Sequence, residues 1–198
     1  MCTNPNDILI DSFLENEIGL DTNFLSKALC AGLQNNIALL QQDNLMVKAG
    51  IGNQTHANTT QQMRGDMIYW MDKAHDNTFE QQFLQQIDLF IDRLNSTCYT
   101  GINGYEFHYA VYEQGAGYKR HVDQFRSDSK RKFSLINYLN LHWLPAHGGE
   151  LKVYNIKGSN TIAPTNQTAV FFKSNEVEHE VLQAHKTRMS ITGWLKRE

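Results

Sequence analysis

The chain has 198 residues, of which 41% are hydrophobic and 20% charged, with three prolines and thirteen glycines. This fits one domain of roughly 100–200 residues with its own core, and it excludes collagen-like, mucin-like or linker-dominated proteins. Eighteen Lys and Arg against 21 Asp and Glu leave a formal charge of −3, which excludes a generally basic nucleic-acid binder and an acidic solvating tail. No apolar run approaches the roughly 20 residues of a membrane-spanning helix. Met1–Asp7 has neither a basic nor an apolar leader character, and Cys2, Cys30 and Cys98 are odd in number and widely spaced. The expectation is a cytoplasmic protein with reduced thiols that engages neither membrane nor nucleic acid.

In chain order, Leu25, Leu29, Leu33 and Leu40 predict a helix over 22–42. The stretch 44–63, rich in Thr, Asn and Gln, reads as a loop able to fold over a substrate. Phe79, Phe83, Leu84, Ile87, Phe90, Ile91 and Leu94 predict a second amphipathic helix over 79–94, with Thr78 and Gln81 as its capping box. From about residue 104 the pattern changes to short strands: 105–112, 118–123, 132–140, 150–155, 162–173, 177–182 and 188–195. Glycine-rich breaks at 115–117, 148–149 and 158 separate them, which suggests a sandwich or barrel. The expected fold class is α+β, mainly β, with N-terminal helices packed on one sheet. It forms a single domain over 1–198, in which 1–100 supply a helical cover and substrate-side loop and 101–198 the core.

Two sequence features carry chemistry. His121-Val122-Asp123 places an imidazole and a carboxylate two positions apart on a predicted strand, hence on one face. With a distant His they make a 2-His-1-carboxylate set that leaves positions open on Fe(II). Alone the signal is weak, because eight His and eleven Asp yield roughly 0.4 such pairs by chance. Further on, His179 is followed nine residues later by Arg188. A turn near 184–186 would bring both to one end of a barrel. A buried arginine there needs an anion, which a dicarboxylate cosubstrate supplies; the other reading is a surface pair with Glu176 or Glu178.

These residues resemble a family. Arg64-Gly65-Asp66-Met67-Ile68-Tyr69-Trp70, Tyr112-x-x-Gly115, Tyr118-Lys119-Arg120-His121-Val122-Asp123, Tyr138-Leu139-Asn140, Gly148-Gly149-x-Leu151, His179-Glu180-Val181 and Arg188…Trp194 occur in the order seen in 2-oxoglutarate- and Fe(II)-dependent oxygenases. The resemblance is to the oxygen-sensing type of prolyl hydroxylase and its bacterial relatives, and it covers roughly residues 45–195. It implies a double-stranded β-helix (jelly roll) that hydroxylates a prolyl residue in a protein or peptide, using Fe(II), 2-oxoglutarate and dioxygen, with ascorbate as reductant. It implies His121, Asp123 and His179 as metal ligands. Arg188 and the Tyr138 hydroxyl would bind the distal carboxylate of 2-oxoglutarate, Tyr112 and Thr192 would stand near its iron-bound end, and Leu151 would form a pocket wall. Tyr118, Arg131 and Trp194 would line the substrate entrance, and Arg64 with Asp66 would form a structural pair.

The chain departs from the animal oxygen sensors in a Gly-rich turn one residue shorter and in Gln124-Phe125-Arg126 where they have Asn-Pro. Both departures fall at the substrate mouth. Two other readings stay open: hydroxylation of a free amino acid or small molecule, and a non-catalytic, cupin-like metal-binding protein. His108, His142, His147 and His185 have no partner in the motif and are expected at the surface or in packing. Trp143, Phe171 and Phe172 are candidates for a dry wall or, more simply, for core. The net charge divides unevenly, with 5 basic and 12 acidic residues in 1–100 against 13 and 9 in 101–198. Lys119, Arg120, Arg126, Lys130, Arg131 and Lys132 therefore form a basic rim beside the His-x-Asp segment, suited to steering an anionic ligand.

Overall fold

A computed structural model describes residues 4–50, 64–124, 129–155 and 158–198. Eight of its strands form the two layers that hold the cavity. Strands β4 (Gly104–Tyr112), β6 (Arg131–Tyr138), β9 (Ala169–Lys173) and β11 (Arg188–Lys196) lie in the larger sheet. Strands β5 (Tyr118–His121), β7 (Leu151–Asn155), β8 (Gly158–Ile162) and β10 (Glu178–Val181) form the smaller one. Successive strands alternate between the layers except at the β7–β8 hairpin, which is the winding of a double-stranded β-helix. The expected single strand over 162–173 is in fact two, one per sheet. The chain crosses between them at Pro164, which has no N–H for a ladder and whose carbonyl accepts from Asn140 Nδ2 at 2.7 Å.

Three strands absent from the sequence reading extend the larger sheet: β1 (Ile18–Asp21), β2 (Val47–Lys48) and β3 (Asp66–Trp70). The full order is β1-β9-β6-β11-β4-β3-β2, all neighbours antiparallel. With two to five residues each, these strands are too short to display a period against the helical background of that half. The part of the 44–63 loop over 51–63 lies outside the described residues.

Three α-helices cover the outer face of this sheet: α1 (Asp7–Asn16), α2 (Lys27–Gln42) and α3 (Thr78–Cys98). The sequence reading had only the last two. Helix α2 starts at Ser26, whose side chain accepts from Leu29 N, and it buries Leu29, Leu33, Ile37 and Leu40. Helix α3 is capped one residue earlier than expected: Asn77, not Thr78, accepts from the N–H groups of Phe79 and Glu80. A buried polar link fixes α3 to the sheet, with Asn77 Nδ2 on Asn36 Oδ1 (2.8 Å) and Asn36 Nδ2 on Tyr109 Oη (3.0 Å). No helix among the described residues is long and apolar enough to cross a membrane.

Alternation in β4 sends Phe107, Tyr109 and Val111 into the helix-covered core, and His108, Ala110 and Tyr112 toward the smaller sheet. Phe171 belongs to the helix-side core, where its ring meets Phe13, Phe90 and Phe133 at 5.0, 5.3 and 5.0 Å between centroids. It is core and not part of a site wall. Truncation there would leave a cavity between rigid layers. Phe171→Ala is expected to cost about 3–5 kcal/mol, read as a lowered urea midpoint at constant m-value.

Candidate active site

The registers of β3, β4, β11 and β6 arrange the inner face of the larger sheet in rows. The first row is Asp66, Tyr112, Arg188; the second Ile68, Ala110, Ser190, Tyr138; the third Trp70, His108, Thr192, Ile136; the fourth Glu106, Trp194, Ser134. On the opposed sheet His179 sits between His121 and Val153, and Val181 between Tyr118 and Leu151. A cavity between the layers is lined by His121, Asp123, His179, Arg188, Tyr112, Leu151, Thr192, Tyr118 and Trp194 among others.

His121, Asp123 and His179 bring one ligand atom each to within 4.8 Å of one another. The Nε2 atoms of His121 and His179 lie 3.4 and 3.6 Å from the two Asp123 oxygens. Their Nδ1 atoms face backbone carbonyls, Lys119 O at 2.7 Å and Val177 O at 3.1 Å. A carbonyl only accepts, so the ring proton is assigned to Nδ1 and the Nε2 lone pair is turned toward the shared centre. Two neutral imidazoles and one carboxylate on one side of a common point form a donor set that fits Fe(II).

Asp123 is not on the strand, as the His-x-Asp spacing suggested. Strand β5 ends at His121, and Asp123 lies in the following bend, where its N–H and that of Gln124 donate to Ser174 O at 3.1 Å each. Ser134 Oγ donates to Asp123 Oδ2 at 2.6 Å, tying the bend to β6. Burial disfavours charge on Asp123, but the His179 and His121 imidazoles and the Ser134 hydroxyl outweigh it and hold the carboxyl well below its usual range. Burial lowers His179, opposed by Asp123, which keeps this imidazole in the neutral, ligating form.

Arg188 is 1% exposed, and among the described residues no carboxylate lies within ion-pairing distance. Glu178 pairs instead with Arg120 and Glu176 with Lys173. The turn at 184–187 does not return the chain beside β10. It carries the chain from the smaller sheet into the larger, so His179 and Arg188 face each other across the cavity. Arg188 Nε donates to Gly149 O at 2.9 Å and Nη1 to Ser190 Oγ at 3.3 Å, and the rings of Tyr112 and Tyr138 each lie 5.0 Å from the guanidinium carbon. Gly149 adopts φ +69°, and a Cβ there would crowd Arg188 Cδ at 3.1 Å, so this position demands glycine on both counts. The buried Tyr138 hydroxyl beside this cation has no partner of good geometry among the described residues. A buried cation and an unmet hydroxyl on one side of a cavity fit the far carboxylate of a dicarboxylate.

Of the residues expected at the substrate entrance, Tyr118 and Trp194 line the cavity; Tyr118 stacks on His121 with centroids 3.6 Å apart, and Arg131, outside the lining, lies 3.5 Å over Trp194 while its Nε donates to Glu106 at 2.8 Å. Phe172 packs 4.9 Å from His179 and Trp143 donates its Nε1–H to Gly148 O at 3.0 Å, and neither is among the residues that line the cavity. Arg64 and Asp66 form the expected pair, bidentate at 2.6 and 2.8 Å, and both line the cavity. The sequence reading missed His108, which is 1% exposed and lines the cavity instead of filling packing space. Its signal was present in the alternation of β4, which puts residue 108 on the same face as Ala110 and Tyr112.

A family model for the 2OG-Fe(II) oxygenase superfamily matches residues 107–196. A prolyl-4-hydroxylase from Pseudomonas putida superposes with a TM-score of 0.87 at 30% identity, covering 98% of this chain and 99% of that one. The chain belongs to the 2OG-Fe(II) oxygenase superfamily. Within it the similarity is to prolyl hydroxylases. The human prolyl hydroxylase EGLN3 is 33% identical over an alignment 144 positions long that covers 67% of this chain and 58% of that protein. A Trichoplax adhaerens prolyl hydroxylase, solved in complex with a hypoxia inducible factor oxygen degradation domain peptide fragment, has a TM-score of 0.86 at 25% identity, covering 96% of this chain and 88% of that one. The chain thus spans 58% of the length of the curated prolyl hydroxylases it matches.

Burial, and then the Arg64 charge, push the His108 imidazole down to about 3. The ordinary value is about 6.5, so below that pH the unfolded chain takes up a proton that the folded chain refuses, and stability falls with pH until about 3 is reached. His108→Gln removes this effect. Between pH 6 and 4 the variant is expected to lose about 1.4 kcal/mol less stability per pH unit than the native chain, read from urea midpoints. Parallel curves would mean that His108 charges within the folded protein.

Proposed function

We propose that this protein is an Fe(II)- and 2-oxoglutarate-dependent dioxygenase that hydroxylates a prolyl residue in a protein or peptide. The observation that carries the reading is one cavity holding both an open three-ligand set and, across it, a buried arginine without a carboxylate partner among the described residues. The prolyl specificity is supported by the relatives, which are prolyl hydroxylases, one of them solved with a peptide.

His121, Asp123 and His179 would hold Fe(II), which with 2-oxoglutarate and dioxygen supplies the oxidising power to convert C–H to C–OH as the cosubstrate leaves as succinate and carbon dioxide. Arg188 meets the distal carboxylate as a planar fork and Tyr138 adds its hydroxyl, fixing the orientation of the dicarboxylate. Tyr112 and Thr192 contact its metal-side end, and Leu151 excludes water from the pocket wall. Tyr118, Arg131 and Trp194 shape the mouth that receives the polypeptide. Ascorbate would be the reductant that keeps such an iron ferrous. In this arrangement residues 101–198 carry the chemistry, while 1–100 supply the helical cover and the substrate-side loop. A cytoplasmic location accords with the free Cys30 and Cys98.

The test is 2-oxoglutarate consumption with proline-containing peptides, read with the +16 Da product by mass spectrometry. His121→Ala and Asp123→Ala are expected to abolish turnover with circular dichroism unchanged, and full activity in either would refute the metal assignment. Arg188→Ala is expected to raise the KM for 2-oxoglutarate about a hundredfold or more, and Arg188→Lys to recover part of it, since a point charge lacks the bidentate fork. An unchanged KM in Arg188→Ala would move the cosubstrate elsewhere.

A further inference from the structure

His108 has a constrained proton. Arg64 is locked by its two bonds to Asp66, and its Nη2 lies 3.3 Å from His108 Nε2. A guanidinium only donates, so Nε2 must be the accepting nitrogen, and a neutral imidazole in that position carries its proton on Nδ1. Yet His108 Nδ1 is buried and has no hydrogen-bond partner among the described residues. The same is true of Nε1 of Trp194, whose ring stacks on His108 with centroids 5.5 Å apart at 25°. Both residues line the cavity. Each unmet buried donor is worth about 1–3 kcal/mol against the folded state, so two on one wall mark a place built for an acceptor that arrives from outside.

Position says which acceptor. His108 stands in the third row, between Trp70, which is 45% exposed, and Thr192. Arg188 belongs to the first row, four residues along the strand and so roughly 13 Å away at the backbone. Asp123 is tied to β6, two strands across from β4. The donor therefore faces the route from the surface at Trp70 to the metal ligands, not the anchor of the dicarboxylate. A polypeptide at a proline offers carbonyl oxygens on both sides of that residue and no N–H from the ring nitrogen. A wall of donors is the complement of such a segment.

We propose that His108 is a specificity-determining residue that donates its Nδ1–H to a carbonyl oxygen of the polypeptide flanking the reacting proline, with Arg64 as the positioning residue that sets its tautomer. This rests on the prolyl-hydroxylase reading above.

Two measurements test it. Two-bond proton–nitrogen correlation spectra of the histidine rings in the Zn(II)-loaded protein with 2-oxoglutarate are expected to show His108 as the Nδ1–H tautomer; an Nε2–H tautomer overturns the proposal. Steady-state kinetics on capped Xaa-Pro-Xaa peptides then compare the native chain with His108→Met, which has no donor, and His108→Gln, which can accept from Arg64 and still donate. The Met variant is expected to raise the peptide KM about tenfold, the usual effect of one neutral hydrogen bond, with kcat and 2-oxoglutarate affinity moving less, and Gln to restore most of it. Equal peptide KM in the native and Met proteins overturns the proposal and leaves the proposed function standing; an ordered water alone on Nδ1 would give that result. If the native protein yields no +16 Da product from any of the peptides, the prolyl reading itself fails and the assignment of His108 falls with it.

Discussion

The burial of the Arg188 charge is the constraint around which the cavity is organised. Its guanidinium is 1% exposed, and a buried charge of this kind is worth several kcal/mol against folding unless it is answered. The protein answers in part: a carbonyl from Gly149, a hydroxyl from Ser190 and two aromatic faces. Each answer requires something specific of the chain. Gly149 must be glycine to reach φ +69° so close to Arg188, and β11 must run between β4 and β6 for Tyr112 and Tyr138 to flank it. What is left unanswered is the anionic charge itself, and that deficit makes the site a receptor.

The charge of the chain takes on a different meaning in this setting. The second half carries an excess of four basic residues, and the simplest expectation was a positive rim that steers an anion. Two of the six rim residues, Arg120 and Arg131, are paired locally, as are other cations of this half. Arg120 pairs with Glu178, Arg131 and Lys196 with Glu106, Lys152 with Glu180, and Lys173 with Glu176. Exposed pairs of this kind contribute little to stability, and in ordinary salt their fields fade within about 10 Å. The positive charge that decides which ligand binds is inside the protein.

The catalytic half was largely legible because its strands alternate cleanly and its breaks are glycines, so the strand limits differ by one or two residues at most of the seven segments. Strand alternation then puts the motif residues on the inward faces of the two opposed sheets, Asp123 excepted. What stayed hidden has physical reasons. Strands β1, β2 and β3 are too short to show a period, and α1 buries only Leu9 and Ile10. The cap of α3 sits at Asn77, since Asn and Thr both cap well and the pattern could not choose between adjacent residues. Asp123 lies beyond its strand, because two bonds to Ser174 and one from Ser134 hold a bend that no local preference encodes. His108 was hidden for a related reason: its significance depends on Arg64, 44 residues away, which meets it only once β3 has paired with β4.

These hidden contacts also give the cavity its polarity of recognition. Its two carboxylates are both engaged, Asp66 by Arg64, and Asp123 by Ser134 and the facing imidazoles. Its unmet groups among the described residues are donors or can act as donors: the Arg188 fork, the Tyr138 hydroxyl, and the ring N–H groups of His108 and Trp194. Among the described lining residues a ligand that brings its own donors finds no free carboxylate, so those donors meet the desolvation penalty of unpaired groups. One that brings acceptors gains at both ends. Charged acceptors suit Arg188 in the first row, where a full charge among the described lining residues has no carboxylate, and neutral ones suit His108 and Trp194 in the third and fourth. The donors of this cavity thus differ by row, a full charge at Arg188 in the first and neutral ring N–H groups at His108 and Trp194 in the third and fourth, which suits a dicarboxylate and an amide-bearing chain to different parts of it.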